Sequence, residues 1–236
     1  MKIDANSVTF EPQDMAFVKK FGILKATEMV LDYHAEHPNL PFLYDAEQLA
    51  GFLGISRGEL NDIVNHIQKE YKEAHLPKKD GTYRSLCVPS IRLRFCQDPI
   101  KEKILPQLPV SKFATAYQKG STTRGNAEPH IGKKFLLKLD ITDFFGSITF
   151  EQVQRTAFNT RYVSRQVGYL LTSLCCKDDS LPQGAATSPA LSNIVMYRFD
   201  DYIGRWCSQR QIAYTRYCDD MTFSANRPLY GVYQKV

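Results

Sequence analysis

Apolar positions change their period several times along the chain, and each change marks an element. Phe17, Phe21, Leu24 and Met29 recur near helical spacing until His37-Pro38 interrupts them, so the first part reads as helical. "DAEQLAGFLGISRGELNDIVNHIQKEY", Asp45 to Tyr71, reads as a helical pair. Asp45 is placed as an N-cap, Gly54 as the turn, and Ser56 with Glu59 as the capping box of the second helix. From about Leu76 the texture changes. "LPKKDGTYRSLCVP" predicts two short strands around Gly81, closed by Pro89, and "IRLRFCQDPIKEKIL" a helix weakened at Pro99. "FLLKLD" is a strand ending at Asp140, and "FEQVQRTAFN" is helical. Leu181 to Arg210 starts as a loop and becomes a long helix carrying Leu191, Ile194, Val195, Phe199 and Ile203. Ile212, Tyr214, Met221 and Phe223 alternate as a hairpin should, around Cys218-Asp219-Asp220. Strands and helices mix with antiparallel elements, which argues for an α+β fold.

The pair Asp45–Tyr71 carries two readings. A short helix, a Gly-containing turn and "SRGEL" resemble a DNA-reading helix-turn-helix, whereas the simpler reading is an αα-hairpin packed on a larger domain. The second helix offers Glu59, Asp62 and Glu70 against Arg57 and Lys69, a poor set for a major groove.

Composition narrows the class. With 236 residues and 43% hydrophobic content the chain can bury one substantial core or two modest ones. Its apolar runs are too short to span a membrane, and no secretory signal opens it. Six cysteines without a CxxC pair fit reduced thiols in a cytoplasmic protein. The net charge of +5 says little, but its distribution says more. Lys69–Lys134 holds fourteen Lys or Arg against six Asp or Glu, interleaved with Tyr71, Tyr83, Phe95, Phe113 and Tyr117. That surplus reads either as a solvated face or, given its concentration, as a surface for phosphate or nucleic-acid contact.

The carboxylates carry the chemistry. Asp140 ends a largely apolar strand, and Asp219-Asp220 interrupts an apolar hairpin, where like charges side by side repel. A polar hairpin turn is the bland reading of the pair. If the two strands neighbour each other, the carboxylates converge on a hard-oxygen site suited to Mg²⁺. Two such ions about 3.5–4 Å apart would clamp the attacking and leaving oxygens of an in-line phosphoryl displacement. Paired carboxylates for glycoside hydrolysis leave both the basic segment and the loop at Leu181 unexplained.

"LDITDFF" at Leu139–Phe145, "LPQGAATSPALSN" at Leu181–Asn193 and "YCDD" at Tyr217–Asp220 together resemble the palm motifs of reverse transcriptases, in order. "NAEPH" at Asn126–His130 matches the NAxxH box of bacterial retron reverse transcriptases, and "YTRYCDDMTFS" is similar to that branch. The resemblance, from about Leu76 to Ser224, implies right-hand fingers and palm, with an antiparallel palm sheet flanked by helices. It divides the chain into N-terminal helices over 1–71, fingers over 72–134 and palm over 135–236. By position it assigns Asp140 and Asp219 as ligands of two Mg²⁺ ions, the Ile141 carbonyl as a further contact and Asp220 as the third carboxylate. Arg84 and Lys79, with Lys78 beside it, match fingers residues that hold the incoming dNTP. Phe145 stands where the family excludes a ribose 2′-hydroxyl, with Phe144 its inward neighbour. Gln183 and Gly184 would line the nucleotide pocket, and Pro189 and Asn193 would shape the loop and helix. For Asn126 and His130 two readings stand: a role near the template RNA, or a turn residue and a locally satisfied histidine. Asp143 is a lesser candidate facing the triphosphate, Asp200-Asp201 is expected to meet solvent, and Cys218 needs no reactive thiol.

The implied partners are a structured noncoding RNA, which primes through a 2′-hydroxyl, its branched DNA product, and a toxin-like effector protein in phage defence. A group II intron or abortive-infection reverse transcriptase is the nearer alternative, which "NAEPH" disfavours. A catalytically silent RNA-binding scaffold is the other. Sixteen residues follow Asp220, so the helical thumb and the VTG-containing segment of the family are expected to be absent from this chain, and with them the grip on the duplex.

Overall fold

Local capping sets the N-terminal helices. The computed structural model describes residues 8–77, 81–159 and 163–236. Helix α1 (Met15–Phe21) and helix α2 (Ile23–Glu36) are separated by Gly22, whose φ of +78° breaks the helical phase. The apolar stripe therefore does not run on: Phe17 is buried against Phe21, Phe42 and Tyr44, whereas Leu24 is 86% exposed. Helix α2 stops before His37-Pro38. In α3 (Ala46–Leu53) the Asp45 carboxylate accepts from the amides of Glu47 and Gln48, and Gly54 closes the helix in the left-handed region. Helix α4 (Arg57–Asn65) begins with the Ser56–Glu59 capping box. Its Asp62 pairs with Arg92, while Leu60 and Ile63 point into the core. The helix pair is thus an αα-hairpin packed on the rest of the chain, with an acidic outer surface.

Strands β1 (Tyr71–Pro77) and β2 (Tyr83–Pro89) form an antiparallel hairpin in the register Tyr71↔Pro89 to Pro77↔Tyr83. The first strand starts five residues before the sequence pattern places it. Most of its side chains face solvent, so the hairpin carries no alternation that burial would impose. Ser90 caps α5 (Ile91–Pro99), and Pro99 passes the chain into a wider π-helical stretch, Ile100–Ile104. A short helix α6 (Thr123–Ala127) and the 3-10 turn Glu128–His130 follow.

Strand β3 (Phe135–Asp140) leads to α7 (Phe150–Ala157), α8 (Arg165–Cys175) and the long α9 (Ser188–Ser208). Strands β4 (Ala213–Tyr217) and β5 (Asp220–Ala225) close the sheet, before a last helical turn α10 (Val232–Lys235). The sheet is antiparallel in the order β3-β5-β4, with Leu139 opposite Met221, Asp140 opposite Asp220 and Tyr214 opposite Phe223. Although largely apolar in sequence, β3 is not a buried strand. It forms the sheet's edge, with Phe135 42% and Leu136 59% exposed, while β4 and β5 are largely covered.

Two cores result. One joins α3, α4, α5, α7 and α8 to the first half of α9 through residues such as Leu49, Leu60, Leu93, Leu171 and Leu191. The other packs Ile203 and Cys207 of α9 against Tyr214, Met221 and Phe223 of the sheet. Helix α9 bridges both, which fixes the sheet relative to the helices. All six cysteines are free, and among the described residues no helix is long and apolar enough to cross a membrane.

Candidate active site

The register of the sheet decides where the carboxylates go. Asp140 ends β3 directly opposite Asp220, and the next amide, Ile141, donates to the Asp219 carbonyl at 3.1 Å. The segment after β3 and the β4–β5 turn are therefore joined by backbone at one end of the sheet. The turn has two residues, and Cys218 sits at φ +62°, unusual for a side chain with a Cβ. Two contacts hold it: Nη1 of Arg216 donates to the Cys218 carbonyl at 2.8 Å, and the Tyr117 hydroxyl lies 2.7 Å from Sγ. Burial raises the pKa of the Cys218 thiol, which keeps it protonated.

A cavity of about 460 Å³ opens at this end of the sheet. Asp140, Ile141, Asp143, Phe144 and Phe145 line it from the β3 side, and Cys218 and Asp219 from the turn. Tyr83, Arg84 and Ser85 of β2 form the opposite wall, with Tyr117 and Gln183 between. The β1–β2 hairpin is bolted to the loop before α9: the Cys87 amide donates to the Gln183 carbonyl at 2.7 Å. Gly184, at φ +121°, lies so close that a Cβ there would stand 2.9 Å from the Cys87 carbonyl. Phe144 is 5% exposed and turns inward, while its neighbour Phe145, ring centroid 5.3 Å away, is half-buried.

The predicted residues divide into three groups. Asp140, Ile141, Asp219, Arg84, Phe145 and Gln183 share the cavity, and Gly184 adjoins it. Asp220 sits beside them, but its carboxylate is 3.4 Å from the Lys138 ammonium on the exposed face of the sheet. Lys78 and Lys79 lie outside the described residues. Asn126 and His130 are not in the cavity. The Thr115 hydroxyl donates to Asn126 Oδ1 at 2.6 Å, and His130 reaches the Ser224 and Thr215 hydroxyls at 2.7 and 2.9 Å. His130 therefore fastens the end of the 111–130 segment to the sheet, while Asn126 holds Thr115, whose hydroxyl also reaches the Arg216 carbonyl. Burial, and then Lys133, lower the His130 pKa.

Asp200 overturns its expectation. It does not meet solvent: it is 0% exposed and paired with Arg216, also 0% exposed, at 2.6 Å. The helical pattern hides this because Asp200 lies among apolar neighbours and beside Asp201, which does turn outward to Arg205. Ser85 and Arg216 are the residues that sequence reasoning passes over, and Tyr83 and Tyr117 enter it only as aromatics interleaved in the basic segment. Arg216 does leave a signal, since it shares the inward face of β4 with Tyr214 and a charge there demands a buried partner.

Among the described residues no three His, Cys, Asp or Glu side chains converge into a ready-made cage for a metal. Asp140 and Asp219, which line the polar cavity together with Asp143, still suit a hard divalent cation, which takes its other ligands from water and phosphate oxygens.

Comparison with known proteins fits this arrangement. The family model described as "Reverse transcriptase (RNA-dependent DNA polymerase)" matches residues 76–230. The retron Ec86 reverse transcriptase of Escherichia coli is 31% identical, covering 86% of this chain and 63% of its own length. The retron Mx65 enzyme of Myxococcus xanthus is 32% identical, covering 79% of this chain and 49% of its own length. The retron Ec83 enzyme of Escherichia coli is 35% identical, covering 70% and 57%. The chain thus spans between about half and under two thirds of these relatives. A telomerase structure from Candida albicans aligns over 97% of this chain and 51% of its own, at 12% identity and a TM-score of 0.47. The chain belongs to the reverse transcriptase (RNA-dependent DNA polymerase) family, as a relative of the retron enzymes.

Proposed function

We propose that this chain carries the fingers and palm of a retron RNA-directed DNA polymerase, which adds dNTPs to a primer on an RNA template. The observation that carries the reading is the sheet register. It brings Asp140 and Asp219 to one cavity together with an arginine, an aromatic ring and the Gln183 loop. Asp140, Asp219 and the Ile141 carbonyl would hold two Mg²⁺ ions, which when bound lower the pKa of the primer hydroxyl and neutralise charge on the transferring phosphate. Asp220 stays beside them as a third negative charge, balanced by Lys138. Arg84 presents its guanidinium fork to triphosphate oxygens across the cavity, with Lys79 as a further cation. The Phe145 ring packs where the sugar lies and rejects a 2′-hydroxyl. Gln183 orients the nucleotide, and Gly184 lets β2 and the loop approach closely enough to close the pocket.

A finer proposal rests on the sequence resemblance to the retron branch. The template is a structured noncoding RNA, priming starts at one of its 2′-hydroxyls, and the product is a DNA–RNA hybrid that serves phage defence with an effector protein. Primer extension on an RNA template with dNTPs and Mg²⁺ tests the polymerase claim. Template-dependent extension that stops when EDTA removes the metal is expected. Tight RNA binding with no extension at any divalent metal concentration would overturn it in favour of an RNA-binding scaffold.

A further inference from the structure

Arg216 is among the largest side chains buried without any exposure, and it is not part of the cavity. A guanidinium survives out of water only where its donors find acceptors. Here Nε donates to both carboxylate oxygens of Asp200, at 2.9 and 3.1 Å. Nη2 donates to Asp200 at 2.6 Å and to Asn193 Oδ1 at 3.1 Å. Nη1 turns the other way, to the Cys218 carbonyl at 2.8 Å. The fork also lies 5.6 Å from the centroid of Phe144. Asp200 is fixed in turn by the Tyr214 hydroxyl at 2.8 Å, and Asn193 by donating to the Ala116 carbonyl at 2.8 Å. One side chain thus ties two turns of α9 and the aromatic pair after β3 to the turn that bears Asp219.

Stability alone is a weak account of this arrangement. A buried ion pair contributes little beyond what two well-packed apolar side chains would. What an apolar pair cannot do is hold a carbonyl oxygen. The carbonyl in question belongs to Cys218, the left-handed residue immediately before Asp219, in a turn also held by the Ile141 amide on the Asp219 carbonyl and the Tyr117 hydroxyl on Sγ.

We infer that Arg216, anchored by Asp200, is a positioning residue: by gripping the Cys218 carbonyl it fixes the turn that aims the Asp219 carboxylate into the cavity. The inference rests on the proposed role of Asp219 in holding a divalent cation.

Two variants of this chain test it, Arg216→Lys and the charge-neutral pair Arg216→Met with Asp200→Leu. Each is read by thermal melting, by Mn²⁺ binding followed by electron paramagnetic resonance, and by kcat and KM for addition of one dNTP to an RNA-templated primer. With the fold retained, Mn²⁺ affinity and kcat are expected to fall about tenfold or more while KM for the dNTP holds within about threefold, as for outer residues that orient metal ligands. A folded variant that binds Mn²⁺ and adds nucleotides like the parent overturns the inference. Should both variants fail to fold, amide order parameters of the parent decide. Values near about 0.85 at Cys218 and Asp219, matching β4 and β5, are expected, and values below about 0.6 overturn the claim. A parent chain that neither binds Mn²⁺ nor extends a primer would sink the functional reading instead, and the order parameters would still judge the turn.

Discussion

At the level of single residues, the site asks unusual things of a few side chains. Phe144 and Phe145 both line the cavity, but Phe144 is 5% exposed and belongs to the core, whereas Phe145 is half-buried and presents the more accessible ring. Replacing Phe145 with Ala should open that wall. The ratio of dNTP to rNTP incorporation, measured in parallel single-nucleotide additions, is expected to drop by at least about tenfold, the order of discrimination that apolar pocket contacts supply. His130 acts on stability. Its folded pKa lies below the ordinary 6.5 because burial disfavours the charged ring, and Lys133 adds repulsion. The neutral ring's contribution is therefore complete above about pH 6.5 and is lost as pH falls through the lowered folded value. Melting temperature should decline as pH falls below 6.5, and His130→Ala should flatten that decline. The same variant, by unpairing the Ser224 and Thr215 hydroxyls, should cost about 1–2 kcal/mol at neutral pH. That Asp140, Asp219 and Phe145 share one cavity is legible from three motifs standing in order along the chain. His130's actual contacts are not, since its two partners lie 85 and 94 residues away in sequence.

Elements decide how those residues meet. The caps at Asp45 and Ser56 are local chemistry, and each stands where sequence rules put a helix start. Strand β1 begins earlier than its pattern suggests because a solvated hairpin leaves no period of its own. Strand β3 looks buried from its run of Phe and Leu, yet it is an edge. Three apolar residues on one side of an edge strand cannot reveal whether the other side is covered. The contact between β2 and the loop before α9 is a backbone contact, so its only sequence trace is the glycine. Gly184→Ala would combine a strained φ with a collision against the Cys87 carbonyl, for a loss of about 1–3 kcal/mol in thermal or urea unfolding. It should also raise KM for the dNTP, because β2 carries Arg84.

Over the whole molecule, charge and topology act together. Every described Lys and Arg between Lys69 and Lys134 is exposed, so the surplus read from the sequence is a solvated cationic surface available to phosphates. RNA affinity should then fall steeply with salt. Neutralising Lys119 and Arg124 should weaken binding uniformly across RNA sequences. The slope of log K against log salt should shrink by about 0.7 for each phosphate that is no longer neutralised. The buried exception to this surface charge is the Arg216–Asp200 pair, which joins the long helix to the turn bearing Asp219. The α+β class is readable from mixed periods, and the meeting of Asp140 with Asp219 from motif order. The way α9 threads both cores is not, because its buried Asp200 reads as solvent-facing until Arg216, which also donates to Asn193, supplies its partner.

The central claim is that Asp140 and Asp219 act together on an RNA-templated primer end. Its most direct measurement is single-turnover addition of one dNTP as a function of Mg²⁺, comparing this chain with Asp219→Asn. The parent should show saturable, metal-dependent addition, and the variant should lose at least about a hundredfold in rate while melting within a few degrees of the parent. A variant that adds nucleotides at the parental rate would contradict the account.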